Sequence, residues 1–121
     1  MPRVVHFEIP AHDPERAVAF YESVFEWKIR KWDGPIDYWL VTTGDPDAPG
    51  IDGGITRRGE GATVANTIDV PSVDEYVRKI TDAGGEIVLP KTAVPGVGWL
   101  AYLKDTEGNM FGIMTTDMDA K

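Results

Sequence analysis

Residues 3–10 alternate Val4, His6 and Glu8 against Val5, Phe7 and Ile9. This period of two predicts a strand with one strongly apolar face and places His6 and Glu8 together on one side. Asp13-Pro14 then marks a helix start, because Asp caps the first turn and Pro has no N–H to leave unpaired there. Ala17, Val18, Tyr21, Val24 and Phe25 recur at helical spacing and define one apolar face. Trp27–Asp33 and Asp37–Thr43 read as strands joined by the turn Asp33-Gly34-Pro35-Ile36. After the exposed loop 45–50, Gly53–Arg58 supplies a fourth strand.

The same order then repeats. Val64–Val70 is a strand, and Ser72-Val73-Asp74-Glu75 is a capping box. Val73, Tyr76, Val77 and Ile80 form the apolar helix face, which Gly84-Gly85 ends through a left-handed residue. Strands follow at Glu86–Leu89, Trp99–Lys104 and Met110–Thr115, with the apolar connection Pro90–Gly98 between the first two. The chain is therefore βαβββ written twice, an α+β arrangement in which neither copy can bury its apolar face alone. Module one spans about 1–58 and module two about 62–116, with Gly59-Glu60-Gly61 as hinge and a short C-terminal tail, in one domain. Aligning the helix caps, Asp13 with Ser72, matches Tyr21 to Ile80 and brings Trp39 close to Trp99.

Composition narrows the function classes. The net charge of −8 lacks the basic footprint that nucleic acid or an anionic membrane requires. The absence of cysteine excludes disulfides, thiolate metal sites and cysteine nucleophiles. No apolar run approaches the ~20 residues of a membrane span, and the polar N-terminus has no signal-peptide core, so a cytoplasmic location is expected.

The repeat resembles the vicinal oxygen chelate superfamily of glyoxalase I, fosfomycin-resistance proteins, extradiol dioxygenases and bleomycin-binding proteins. The residues that carry the resemblance are His6-Phe7-Glu8-Ile9-Pro10 before Asp13-Pro14-Glu15-Arg16-Ala17, then Phe20-Tyr21 and Val24-Phe25-Glu26-Trp27. Ala83-Gly84-Gly85 and Asp105-Thr106-Glu107-Gly108-Asn109-Met110-Phe111 carry it in the second half. It looks most similar to small proteins related to lactoylglutathione lyase. Glu26 departs from the glycine usual there, at a cost of about 1 kcal/mol if the residue is left-handed. The resemblance implies strands curled into a half-open, barrel-like cleft, a divalent metal held on its concave face, and a homodimer.

In that superfamily the metal ligands come from the first and last strand of each copy. Carried over, they fall on His6, on Gly54, on Ala65 (or Asn66 if the register slips by one) and on Gly112. Only His6 matches the pattern, whereas a mononuclear site needs about three converging ligands. Glu8 adds one neighbouring carboxylate, and Asp52 lies in a turn where Asp is common for local reasons. The leading expectation is thus a metal-independent protein that binds a small organic molecule in the cleft. A metal-dependent lyase, isomerase or dioxygenase using His6 is the second reading, and a dimeric structural module without ligand the third.

Each candidate residue has two readings. His6, helped by Glu8, suits acid–base chemistry near neutral pH, or is a former ligand position now bonded structurally. Trp32, Tyr38, Trp39, Trp99 and Tyr102 supply much of the aromatic surface; Trp39, Trp99 and Tyr102 are the candidates for a ligand's walls, core packing being the alternative. Gly54 and Gly112, inside strands, either open floor space for a ligand or let the sheets pack tightly. Pro90–Gly98 rims the cleft or covers a partner subunit. Lys91, Arg57 and Arg58 are the nearest cations for an anionic ligand, and His12 reads as a solvated turn residue.

Overall fold

The computed structural model describes residues 1–59 and 61–121, so Glu60 of the expected hinge lies outside the described residues. The elements are β1 (Arg3–Ala11), α1 (Pro14–Phe25), β2 (Lys28–Lys31), β3 (Tyr38–Thr42), β4 (Asp52–Arg57), β5 (Ala65–Asp69), α2 (Val73–Asp82), β6 (Glu86–Val94), β7 (Gly98–Lys104) and β8 (Met110–Thr116). This is the expected βαβββ twice, in the α+β class. The chain forms two compact units, His6–Val64 and Met1–Val5 with Ala65–Lys121. Among the described residues no helix is long and apolar enough to cross a membrane.

In the first unit the strands run β2-β3-β4-β1, with β1 parallel to β4 and the other pairs antiparallel. Asp13 accepts the N–H of Arg16 at 3.1 Å, and Pro14 follows as the first helical residue, as its sequence predicts. Trp39, Val41 and Ile55 are buried, with Phe7, Ile9, Val18, Tyr21, Trp27 and Ile29 packed against them. Since Ala17, Val18 and Tyr21 belong to α1, this is the helix-covered face. Glu26 ends the helix at φ 60° and ψ 25° and donates its N–H to the Glu22 carbonyl at 3.1 Å. The expected left-handed, non-glycine stop is therefore present. At the edge, β2 is only four residues long and reads Lys-Ile-Arg-Lys, and such short, charged strands resist edge-to-edge pairing.

The second unit orders its strands β5-β8-β7-β6, with β5 parallel to β8. Ser72 caps α2 by accepting the Glu75 N–H at 3.2 Å. At the other end, Gly84 has φ 102°, Gly85 N–H reaches the Ile80 carbonyl at 2.8 Å, and Gly84 N–H reaches that of Thr81 at 3.2 Å. These paired bonds are the Schellman stop, which needs a residue free of Cβ at the left-handed position. Val70, Val73, Ala101, Leu103 and Ile113 form the core under Tyr76, Val77 and Ile80 of α2.

Two expectations change. Glu86–Val94 is one strand, so the first part of the expected connection Pro90–Gly98 is paired. The register of β6 on β7 shifts between Leu89 and Thr92, and that irregularity absorbs Pro90, which has no N–H for the ladder. The match of Trp39 to Trp99 also changes. With Leu40 opposite Gly54 and Tyr102 opposite Gly112, Leu40 corresponds to Tyr102 and Trp39 to Ala101. Alignment from the helix caps missed this because connections of unequal length intervene.

Candidate functional site

Side-chain direction follows from register, because directly paired residues point to one face. On the first unit, His6 is paired with Asp52 and Glu8 with Gly54 along β1 and β4. Across β3, Leu40 is opposite Gly54 and Tyr38 opposite Thr56. His6, Glu8, Asp52, Gly54, Tyr38 and Leu40 therefore share the face away from α1, while Phe7, Ile9, Trp39 and Val41 face the helix.

The centre of this open face is a hydrogen bond of 2.7 Å between His6 Nε2 and the Tyr38 hydroxyl. The two rings lie nearly parallel, at 16° with centroids 6.3 Å apart. Burial holds the His6 imidazole below its usual pKa by disfavouring the cation, against a smaller upward pull from the Asp52 carboxylate. The pair is thus a neutral imidazole against a phenol, each of which can both donate and accept. The Asp52 carboxylate is anchored locally, accepting the Thr43 N–H at 2.9 Å.

Gly54 explains how the phenol fits. A Cβ built at Gly54 would run into the Tyr38 ring and hydroxyl, so the ring occupies the space that a side chain there would need. A second glycine is covered in the same way, for a Cβ at Gly34 would meet the ring of Trp32. Trp32 in turn contacts Tyr38 edge-on at 6.5 Å and donates its backbone N–H to the Tyr38 carbonyl at 2.7 Å. The floor expected at Gly54 is therefore filled by Tyr38.

On the second unit, Thr67 is paired with Gly112, which makes Thr67 the counterpart of Glu8 and Ala65 that of His6. The register left open at Ala65 and Asn66 thus falls on Ala65. Tyr102 and Gly112 are opposite each other and share the face away from α2. A Cβ at Gly112 would lie 3.3 Å from both Thr67 Oγ1 and Tyr102 Cε1, a tight but side-chain-only contact.

The expected aromatic walls are placed differently. Trp39 is 6% exposed and packs in the helix-covered core, on the opposite side of the sheet from His6. Trp99 packs against the second core, donates Nε1–H to Asp117 at 3.0 Å and lies under Lys91 Nζ at 4.6 Å. Both indoles are drawn to the apolar side because each strand must bury its largest side chains under a helix. Two of the three proposed anion-binding cations are engaged, Lys91 with Asp74 at 2.9 Å and Arg57 with Asp37 at 3.1 Å.

The metal implied by the resemblance does not fit these residues. Three of the four carried-over positions, Gly54, Ala65 and Gly112, have no donor atom in their side chains. The fourth, His6, already shares Nε2 with Tyr38. Among the described residues, no group of three or more His, Asp or Glu side chains is arranged to hold a metal ion.

Comparison with known proteins agrees with the architecture. Residues 3–44 match the family model described as bleomycin resistance protein-like N-terminal. A hypothetical protein from Bacillus halodurans C-125 superposes with a TM-score of 0.71 at 14% identity, over 99% of this chain and 98% of its own. A methylmalonyl-CoA epimerase in complex with methylmalonyl-CoA and NH4+ gives 0.71 at 15% identity, over 100% and 99%. The Streptomyces coelicolor methylmalonyl-CoA epimerase, in complex with 2-nitronate-propionyl-CoA, gives 0.70 at 16% identity, over 98% and 97%. No curated protein sequence matches. The chain thus carries a bleomycin-resistance-like stretch at its N-terminal end and, along its length, the fold of these structures.

Proposed function

We propose that the open face of the first module binds a small organic molecule through hydrogen bonds to His6 and Tyr38, without a metal. The observation that carries this is the 2.7 Å bond between His6 Nε2 and the Tyr38 hydroxyl, at the one carried-over ligand position that kept its side chain. A half-buried pair of groups that both donate and accept suits a ligand carrying a carbonyl or amide. Glu8 and Asp52 put two carboxylates on the same face, which favours an uncharged or cationic molecule over an anion. Acyl-CoA ligands in two structures of this fold support the reading that the fold accommodates organic molecules. The homodimer belongs to the same proposal, and Phe20 and Val24 of α1, each more than half exposed, supply apolar surface for it.

Benzamide, benzoate and benzylamine offer one ring with three charges for the test. In an NMR titration, benzamide or benzylamine should shift the His6 and Tyr38 ring signals, and Tyr38→Phe should weaken the response. Benzoate binding at these two residues in preference to the other probes, or no response of either residue to any of them, would count against the proposal.

A further inference from the structure

Tyr38 and Gly54 meet as a matched pair. The two residues lie on neighbouring strands, and the ring fills the volume that any side chain at 54 would claim. The hydroxyl carried by that ring closes on His6 Nε2. Filling the volume and engaging the imidazole are thus done by a single side chain. Its own position is set from behind by Trp32, which packs edge-on against the Tyr38 ring and lies over Gly34.

We propose that Tyr38 is the specificity-determining residue of this face, standing in the slot of a carboxylate ligand and turning His6 from a metal ligand into half of an organic acid–base couple. The inference rests on the functional reading above and deepens it, for it names the residue that decides which chemistry the face accepts. A ligand here meets the edge of a phenol hydrogen-bonded to an imidazole rather than a cation. Such a surface rewards a neutral oxygen or nitrogen pair and gives a chelating oxyanion nothing to coordinate.

Four proteins test this: wild type, Gly54→Glu, Tyr38→Ala and the double variant. Thermal melts and zinc titration by calorimetry are read on each. Gly54→Glu alone should lower the melting temperature by about 10 °C or more, because the new side chain and the ring claim one volume. Removing the ring should restore over half of that loss in the double variant. The double variant alone should bind zinc, with the introduced carboxylate and Glu8 beside an unblocked His6. If Gly54→Glu fails to fold, Gly54→Ala takes its place in the thermal cycle, since its Cβ already meets the ring. Additive thermal losses would overturn the inference, as would zinc binding to His6 in wild type. Because the thermal cycle involves no organic ligand, it stands or falls independently of the benzamide titration.

Discussion

The hydroxyl of Tyr38 lies 2.7 Å from Nε2 of His6, although 32 residues separate them in sequence. Three strands are needed to bring them together, for β1 pairs with β4 and β4 with β3. The burial of this imidazole has a consequence for pH. His6 is held below the usual histidine pKa in the folded chain, so between that value and ~6.5 the unfolded chain binds more protons. Stability should be fully present above pH ~6.5 and decline as pH falls through the folded pKa. The imidazole signals of His6 should titrate below those of a histidine in a short peptide, and His6→Gln should flatten that part of the stability profile. A His6 midpoint above ~6.5 would contradict this account of the site.

Glycine substitutions should separate by what each new Cβ meets. At Gly98 it would strike the Thr115 backbone carbonyl, at Gly54 the Tyr38 ring, and at Gly112 only the side chains of Thr67 and Tyr102 at 3.3 Å. Backbone cannot rotate away, a ring can shift at some cost, and small contacts relax with least strain. Alanine at 98 should therefore destabilise most, at 54 next and at 112 least, as read from urea midpoints. Equal losses at 54 and 112 would show that the Tyr38 ring does not occupy the space over Gly54.

Helix ends offer smaller, signed effects. Glu26→Gly should stabilise the protein by about 1 kcal/mol, because glycine adopts the left-handed φ of 60° without a Cβ penalty. Ser72→Ala should cost about 1 kcal/mol by leaving the Glu75 N–H without its cap. Ile55→Ala and Leu103→Ala, each fully buried in its own core, should cost about 2–5 kcal/mol. Denaturant titration measures all four.

Much of this architecture was legible in local pattern. Asp13-Pro14 and Ser72 start their helices where capping chemistry requires, and the alternation around His6 gave the correct faces of β1. Tyr21 and Ile80, matched by their caps, each pack half-buried against the core of their own unit. The site was less legible because its geometry is a matter of parity across strands. Tyr38 and Trp39 are adjacent and both aromatic, and only the register of Leu40 on Gly54 shows which one faces His6. Aligning the strand glycines, Gly54 with Gly112, sets Trp39 against Val97, because the connections before them differ in length; only strand pairing sets Trp39 against Ala101 and on the helix side. Trp99 was misplaced for a related reason, since its side of β7 depends on pairing with Thr115 of β8.

Metal stoichiometry tests the central claim most directly. Protein purified without chelator and dialysed should carry far less than one equivalent of zinc, nickel, iron or manganese by elemental analysis, with His6→Ala no different from wild type. Close to one equivalent of any of these in wild type, lost in His6→Ala, would contradict the claim that Tyr38 has taken the place of a carboxylate ligand at this site.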